Sequence, residues 1–388
     1  MKILLTHPFC RPYIRRGAET ILSQLTDYLV SRGHNVTVFS SKPGSPEILD
    51  DGAQTILASQ DSALTKYLRL SPRYYFFLSA LKFMRTHQDF DIVHSIHHID
   101  ACAARIAQKQ TGIPYVYSMF GIPSAWHYHR RPLEHLSLGY AIQGAKEVMV
   151  LSQSARSLLQ SDYKKAGTCI PGFINTDEFP MVKGRDLEHP LILSVAAFTE
   201  LRKGLRVLLN AFQILKSSAP TAKLLVVGYV SPQQQEHMLA LLPTEVRDSI
   251  SFFGTARTDQ LPELYQKAAV TVLPSIWEAL GTVLLESLAS GTPVVGTRHS
   301  GIPDVIGNGV GFLFDPGDVR QQATNAPGLA ECILSALDLY QRDPLLAEHC
   351  RRHAQAYTWS RRGPEIESMY KRAIGMRSDA TAPVAHSV

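Results

Sequence analysis

PSIWEALGTVLLESLASGTPVVGT, residues 274 to 297, follows the apolar run VTV at 270 to 272 and contains a strand end, a loop, a helix and the next strand. The first strand ends at Pro274, a tight loop carries Glu278 and Gly281, and a helix begins near Thr282 and runs through Glu286 to Ala289. PVVG at 293 to 296 is the following strand. Free N–H groups of residues 280 to 284 at such a helix start, reinforced by the helix dipole, suit a diphosphate. Gly281 lets the backbone approach a ligand closely. Glu286, one turn into the helix, can accept two hydrogen bonds from a vicinal diol such as a ribose. Glu278 can reach hydroxyls beyond the diphosphate.

The same alternation extends in both directions. Upstream lie LILSVAA at 191 to 197, a helix over 204 to 217, KLLVVG at 223 to 228, a helix over 233 to 242, ISFFG at 250 to 254 and a helix over 259 to 267. Downstream lies GFLF at 311 to 314. Short buried strands separated by helices read as a doubly wound α/β domain. A first series precedes it: strand 2 to 6, a helix through Ile21, Leu25 and Leu29 that ends at Gly33, VTVFS at 36 to 40, and DIVHS at 91 to 95. The helix 98 to 110, PYVYSM at 114 to 119, the helix 133 to 143 and EVMVLS at 147 to 152 complete it. Crossovers of this length require parallel strands. Around 176 to 190, TDEFPMVKGRDLEHP brings charges, two prolines and a glycine with no apolar period, which marks a linker.

A chain of 388 residues fits two domains at roughly 150 residues each. With 45% hydrophobic and 19% charged residues it is an ordinary globular composition, neither disordered nor fibrous. A net charge of +5 falls short of the dense basic footprint of nucleic-acid binders. Five scattered cysteines with no C-x-x-C pair point to neither disulfides nor zinc. No apolar run reaches the 18 residues of a spanning helix, and MKILLTHPF is too short for a signal segment. A cytoplasmic location is expected, with a peripheral contact on the inner membrane face left open.

Two glutamates with seven residues between them, Glu278 and Glu286, in this strand-loop-helix setting resemble the signature of the family 4 retaining glycosyltransferases of GT-B fold, the glycosyltransferase group 1 type. The resemblance covers nearly the whole chain. RRGAE at 15 to 19 is similar to the family's Gly-Gly-x-Glu loop, and PGFINTDEF at 171 to 179 to its Pro-Asn-Gly-Val-Asp-x-x-x-Phe segment. RKGLRVLLNAF, SFFGTARTDQLPELYQKA, SGIPDVIGNGVGFLFDPGD and YTW follow in the family's order.

The resemblance implies two Rossmann-like domains facing across a cleft: an acceptor-binding domain over 1 to 178, a linker over 179 to 190, and a nucleotide-sugar-binding domain over 191 to 356. A helix over 357 to 375 would cross back to the first domain, leaving 376 to 388 as a disordered tail. It implies a retaining, metal-independent transfer of a sugar from a nucleoside diphosphate to a hydroxyl acceptor, with no cofactor and no nucleic acid. By position, Glu286 would hold the donor ribose, Glu278 the donor sugar, and amides of Leu280, Gly281, Thr282 and Val283 the diphosphate. Lys203 matches the lysine that neutralises the leaving diphosphate, Gly17 the glycine over the phosphates, and Gly254 and Thr255 the nucleobase loop. Cations and oriented amides can stabilise charge on a departing diphosphate without a metal.

The chain departs from the family at three places. Ala197 or Phe198 stands where an arginine usually precedes the lysine, with Arg202 as the candidate substitute. Phe120 takes the place of a first-domain histidine, and Ala-Leu follows Glu278 in place of Gly-Phe. The first two departures favour an alternative, a noncatalytic subunit or scaffold that binds sugar nucleotides.

Other features read more plainly. Asp89-Phe90-Asp91 spells D-x-D but precedes its strand, so it is a turn. His94, His97 and His98 lack a carboxylate or cysteine at ligand spacing. Lys66 to Arg85 mixes basic and aromatic residues, as a core helix with a charged outer face does; the rarer reading is an interfacial patch for a lipid-linked acceptor.

Overall fold

The structure is a computed structural model, and it describes residues 1–10, 13, 17–50, 52–60, 72–122, 131–320 and 323–376, with the side chains of 72 and 73 excepted. The chain divides into two compact units, Met1–Ile170 with Gly363–Val388, and Pro171–Arg362. The fold is GT-B, with two Rossmann-like units.

Unit 1 carries strands β1 (Lys2–Thr6), β2 (Asn35–Lys42), β3 (Glu47–Asp50), β4 (Gln54–Ser59), β5 (Ile92–Ser95), β6 (Tyr115–Met119), β7 (Glu147–Val150) and β8 (Thr168–Cys169). They lie in the order β3-β4-β2-β1-β5-β6-β7-β8. All neighbours are parallel except β3 and β4. The helices are α1 (Gly17–Ser31), α2 (Pro72–Thr86), α3 (His98–Thr111), α4 (Pro132–Gly144) and α5 (Gln153–Tyr163). The expected strands at 2 to 6, 36 to 40, 91 to 95, 114 to 119 and 147 to 152 are present within a residue or two. Strands β3 and β4 were not anticipated. Their residues, EILD and QTILAS, sit at the sheet edge with mostly half-buried side chains, so they carry little of the apolar signal of a central strand.

Unit 2 carries β9 (Leu191–Val195), β10 (Lys223–Val227), β11 (Ile250–Gly254), β12 (Val270–Leu273), β13 (Val294–Thr297) and β14 (Gly311–Phe314). The all-parallel order β11-β10-β9-β12-β13-β14 is the 3-2-1-4-5-6 arrangement of dinucleotide-binding folds, with its switch point between β9 and β12. Its helices are α6 (Leu205–Leu215), α7 (Pro232–Leu239), α8 (Thr244–Arg247), α9 (Leu261–Lys267), α10 (Thr282–Ala289), α11 (Ala326–Arg342) and α12 (Leu346–Gln355). The core fills the space between sheet and helices with Ile192, Leu208, Phe212, Val272, Leu329 and Ile333, all fully buried.

The boundary falls earlier than the linker read over 179 to 190. Residues from Pro171 belong to unit 2, because they are bonded and packed to it. Arg185 donates to the carbonyls of Ala268 and Ser290 and to Thr292. A side chain at Gly172 would collide with Leu280 and Leu285. A final helix, α13 (Trp359–Ala373), starts in unit 2 and from Gly363 counts with unit 1. There Tyr370 meets His94 at 2.6 Å, Glu367 accepts from Tyr28 and Arg32 at 2.6 and 3.0 Å, and Arg372 donates to Glu147 at 3.0 Å. Beyond Met376 the tail lies outside the described residues, as do His127 and His129 and the segment 66 to 71.

Candidate functional site

Ligands of an open α/β sheet bind at the carboxyl ends of strands beside the switch point. In unit 2 those ends are the loops after β9, β12 and β13, and all three converge on Glu278. After β9 the chain turns through a short 3-10 segment, Leu201–Lys203, and Gly204, with φ of 73°, redirects it into α6. A β-carbon on Gly204 would stand 2.4 Å from the carbonyl oxygen of Pro274, so only glycine lets these loops touch. The Ile276 N–H seals the contact by donating to the Arg202 carbonyl at 2.9 Å.

The result is a cluster of two cations on one carboxylate. Lys203 Nζ donates to Glu278 Oε1 at 2.5 Å, and the Arg202 guanidinium lies 3.7 Å from the same oxygen. Arg202 also donates to the Trp277 carbonyl at 2.8 Å and to Glu200 at 2.7 Å. The Lys203 and Glu278 side chains retain only 12% and 14% of their exposure, so screening by water is weak. Lys203 closes the 3-10 turn directly before Gly204, the N-cap of α6, and its ammonium turns to Glu278.

Helix α10 begins at Thr282 as expected, with Gly281 as its N-cap at φ of 93° and no side chain capping it. Of the amides 280 to 284, that of Leu284 is engaged by the Gly281 carbonyl at 2.9 Å, which removes it from the set. Leu280 is buried as a whole residue, with 1% of its surface exposed. Glu286 accepts from Tyr265 Oη at 2.7 Å. Burial pushes the Glu286 carboxyl up to about 7, the tyrosine hydrogen bond opposes that rise, and the charge of Glu178 adds to it. Tyr265, fully buried on α9, is a functional partner that no motif announced.

At the carboxyl ends of β9 and β10 lies a cavity of about 300 Å³, lined by Val195, Ala196, Thr199, Tyr229, Thr255 and Val283. Its walls are mainly apolar, and Tyr229 among them is half exposed. Thr255 is one of its lining residues. Gly254, at φ of 76°, closes β11 beneath it and accepts the Gly228 N–H at 2.7 Å.

Phe198, one of the two positions at which the family arginine is replaced, is packed into the unit 2 core, and Ala197 is exposed on the cavity wall. Of the two expected cations near Glu278, the guanidinium thus arrives from position 202. Gly17 is the first residue of α1 in unit 1, and Phe120 follows β6, half-buried, in the same unit. His94 is not available for ligation: it is fully buried between Tyr370 Oη at 2.6 Å and Ser118 Oγ at 2.5 Å, and burial drives it down to about 3.

Two family models match the chain in succession, Glycosyltransferase Family 4 over residues 15–178 and Glycosyl transferases group 1 over 175–327. A D-inositol 3-phosphate glycosyltransferase of Corynebacterium urealyticum is 24% identical over 94% of the chain and 93% of its own length. Sulfoquinovosyl transferase SQD2 of Arabidopsis thaliana is 30% identical over 48% of the chain, which spans only 34% of that protein. The similarity to a second D-inositol 3-phosphate glycosyltransferase, from Corynebacterium glutamicum, likewise spans 46% of that protein. Among solved structures, sucrose-phosphate synthase from Thermosynechococcus elongatus superposes with a TM-score of 0.76 at 23% identity, over 96% of this chain and 99% of that one. Anabaena HepE in complex with UDP-glucose superposes with a TM-score of 0.73 at 17% identity, over 96% and 100%. At these identities the structures speak to the fold.

Proposed function

The chain belongs to the family 4 glycosyltransferases, its second half being of the group 1 type, and from that premise we propose that it is a retaining, metal-independent enzyme that transfers a sugar from a nucleoside diphosphate to a hydroxyl acceptor. One observation carries the reading: Lys203 and Arg202 meet Glu278 beside the uncapped start of α10, with Glu286 one turn further on.

In this reading the base lies in the apolar cavity at Thr255 and Gly254, Glu286 accepts from the ribose diol, and the amides of Leu280, Gly281, Thr282 and Val283 hold the diphosphate. Glu278 accepts from hydroxyls of the donor sugar and keeps Lys203 and Arg202 poised near the leaving group. As the anomeric C–O bond breaks, charge accumulates on the diphosphate oxygens, and two cations and a helix N-terminus supply the positive field that a metal supplies elsewhere. In the overall transfer the acceptor oxygen bonds to the anomeric carbon, the bond to the diphosphate breaks, and the acceptor's proton passes to the departing phosphate. No cofactor takes part.

The test is a thermal-shift screen with UDP-, GDP-, ADP- and dTDP-glucose, followed by nucleotide release with and without EDTA and by the anomeric configuration of the product. UDP-glucose heads the panel because HepE was solved with it. Binding of one donor, release that survives EDTA and a retained anomer are expected; an inverted product or loss of activity in EDTA overturns the corresponding part. Phe198 in the core favours one second reading, a sugar-nucleotide-binding subunit without catalysis. It predicts binding with no release for any acceptor.

For location we propose the cytoplasm, with a peripheral membrane contact through α2. No described helix is long and apolar enough to cross a membrane. The outer stripe of α2 exposes Tyr74 at 48% and Leu78 at 51%, with Lys82 and Arg85 following on the same stripe. Co-flotation with vesicles of anionic phospholipid that is lost in Leu78→Glu supports this contact; a protein that stays in the aqueous fraction refutes it.

A further inference from the structure

Three described non-glycine residues have positive φ: Lys164 at 54°, Trp277 at 54° and Ser300 at 59°. Lys164 caps the C-terminus of α5, where such a conformation is common. The other two meet at the main chain of Glu278. Trp277 precedes it directly, and Ser300, in the loop after β13, donates from Oγ to the Glu278 carbonyl at 2.9 Å. The Gly301 N–H donates to the same oxygen at 2.9 Å. A β-carbon at 301 would lie 2.1 Å from the Ala279 carbonyl oxygen, so this loop is pressed directly onto the backbone that carries Glu278. The Trp277 indole donates to the Val319 carbonyl at 3.2 Å and meets the ring of His299, the residue before Ser300, edge-on at 4.8 Å.

Backbone strain that persists at a site is held there by its surroundings. A glycine at 300 would adopt this conformation freely. The serine adds one thing that glycine lacks, a hydroxyl donated to the carbonyl of Glu278. We propose that Ser300 is a positioning residue for Glu278, its left-handed backbone and its hydroxyl together fixing the peptide from which the carboxylate reaches Lys203 and the donor sugar. The sugar contact rests on the proposed function; the fixing of the peptide does not.

The variant Ser300→Gly keeps the backbone conformation accessible and removes the hydroxyl. Its melting midpoint should equal or exceed that of the wild type. Amide hydrogen exchange in peptides covering 275–281 should speed up at least threefold, while exchange in β9 and the second half of α10 stays unchanged. With the donor that the wild type turns over fastest among the four glucose nucleotides, kcat should fall more than threefold and KM for donor stay within threefold. Exchange that speeds up less than threefold overturns the proposal, and so does a kcat within threefold of wild type. A purely structural serine would instead lower the melting midpoint. A wild type that turns over none of the donors counts against the proposed function, and the exchange measurement alone then decides the role of Ser300.

Discussion

Lys203 and Glu278 are 75 positions apart in the chain and share a hydrogen bond of 2.5 Å, because the loops after two neighbouring strands, β9 and β12, are locked together at Gly204. Replacing Lys203 by Met leaves Glu278 with Arg202 alone at 3.7 Å. Turnover should drop by about 100-fold or more, the usual effect of removing one charge-stabilising group, with nucleoside diphosphate affinity changed much less. In a double-mutant cycle with Glu278→Gln, the two side chains should couple by roughly 0.5 to 3 kcal/mol of folding stability, as contacting charged pairs do. Additive effects would show that the pair is not formed in solution.

Glu286 titrates near neutrality in the free protein, pushed up to about 7 by burial. A carboxyl raised in this way adds stability below its unfolded value and loses it as the pH climbs through 7. Glu286→Gln should therefore stabilise the ligand-free protein more at pH 8 than at pH 6, as read from melting midpoints. Donor affinity should run the other way, rising with pH to a plateau above 7, since the ionised form is the better acceptor for a diol. A flat profile from pH 6 to 8 contradicts the ribose assignment.

Tyr265→Phe removes the hydroxyl that donates to the Glu286 carboxylate at 2.7 Å. Hydrogen bonds to charged groups contribute about 1.5 to 3 kcal/mol. A loss of that order is expected in urea unfolding at pH 8 and a smaller one at pH 6, where the carboxyl is largely neutral. Donor binding at pH 7 should weaken along with it, because the carboxyl then holds its proton more tightly.

Gly204→Ala should be among the most damaging conservative changes in unit 2. The φ of 73° and the 2.4 Å approach to the Pro274 carbonyl add strain and overpacking, together about 2 to 4 kcal/mol. Even a folded variant should lose turnover, since the loops that bring Lys203 to Glu278 are forced apart. Wild-type stability in this variant would mean that the two loops do not touch.

The parallel strands of unit 2 were legible because each is a short apolar run that a helix separates from the next; ISFFG and GFLF became β11 and β14 without change. The glutamates, the glycine and the helix start of the site were legible for the same reason, being close together in the chain. What could not be read were the contacts between distant loops. Nothing near Tyr265 announces that it faces Glu286, and nothing in SGIPD says that Ser300 reaches the carbonyl of Glu278. Arg202 was legible as the candidate for the missing arginine, but its meeting with the Trp277 carbonyl and Glu278, which the loop after β12 brings against it, was not. The early end of unit 1 was hidden because 176 to 190 looks like a linker in composition, yet Arg185 ties that segment to unit 2 by bonds to main-chain carbonyls that no composition reveals.

The closing half of α13 completes unit 1 although the whole of unit 2 is synthesised between them. On the ribosome, the imidazole of His94 and the carboxylate of Glu147 must wait for Tyr370 and Arg372 until the intervening polypeptide has emerged. The half that is made first is thus finished after the other, and a nascent chain stalled before Gly363 would present an incomplete unit 1 to chaperones and proteases.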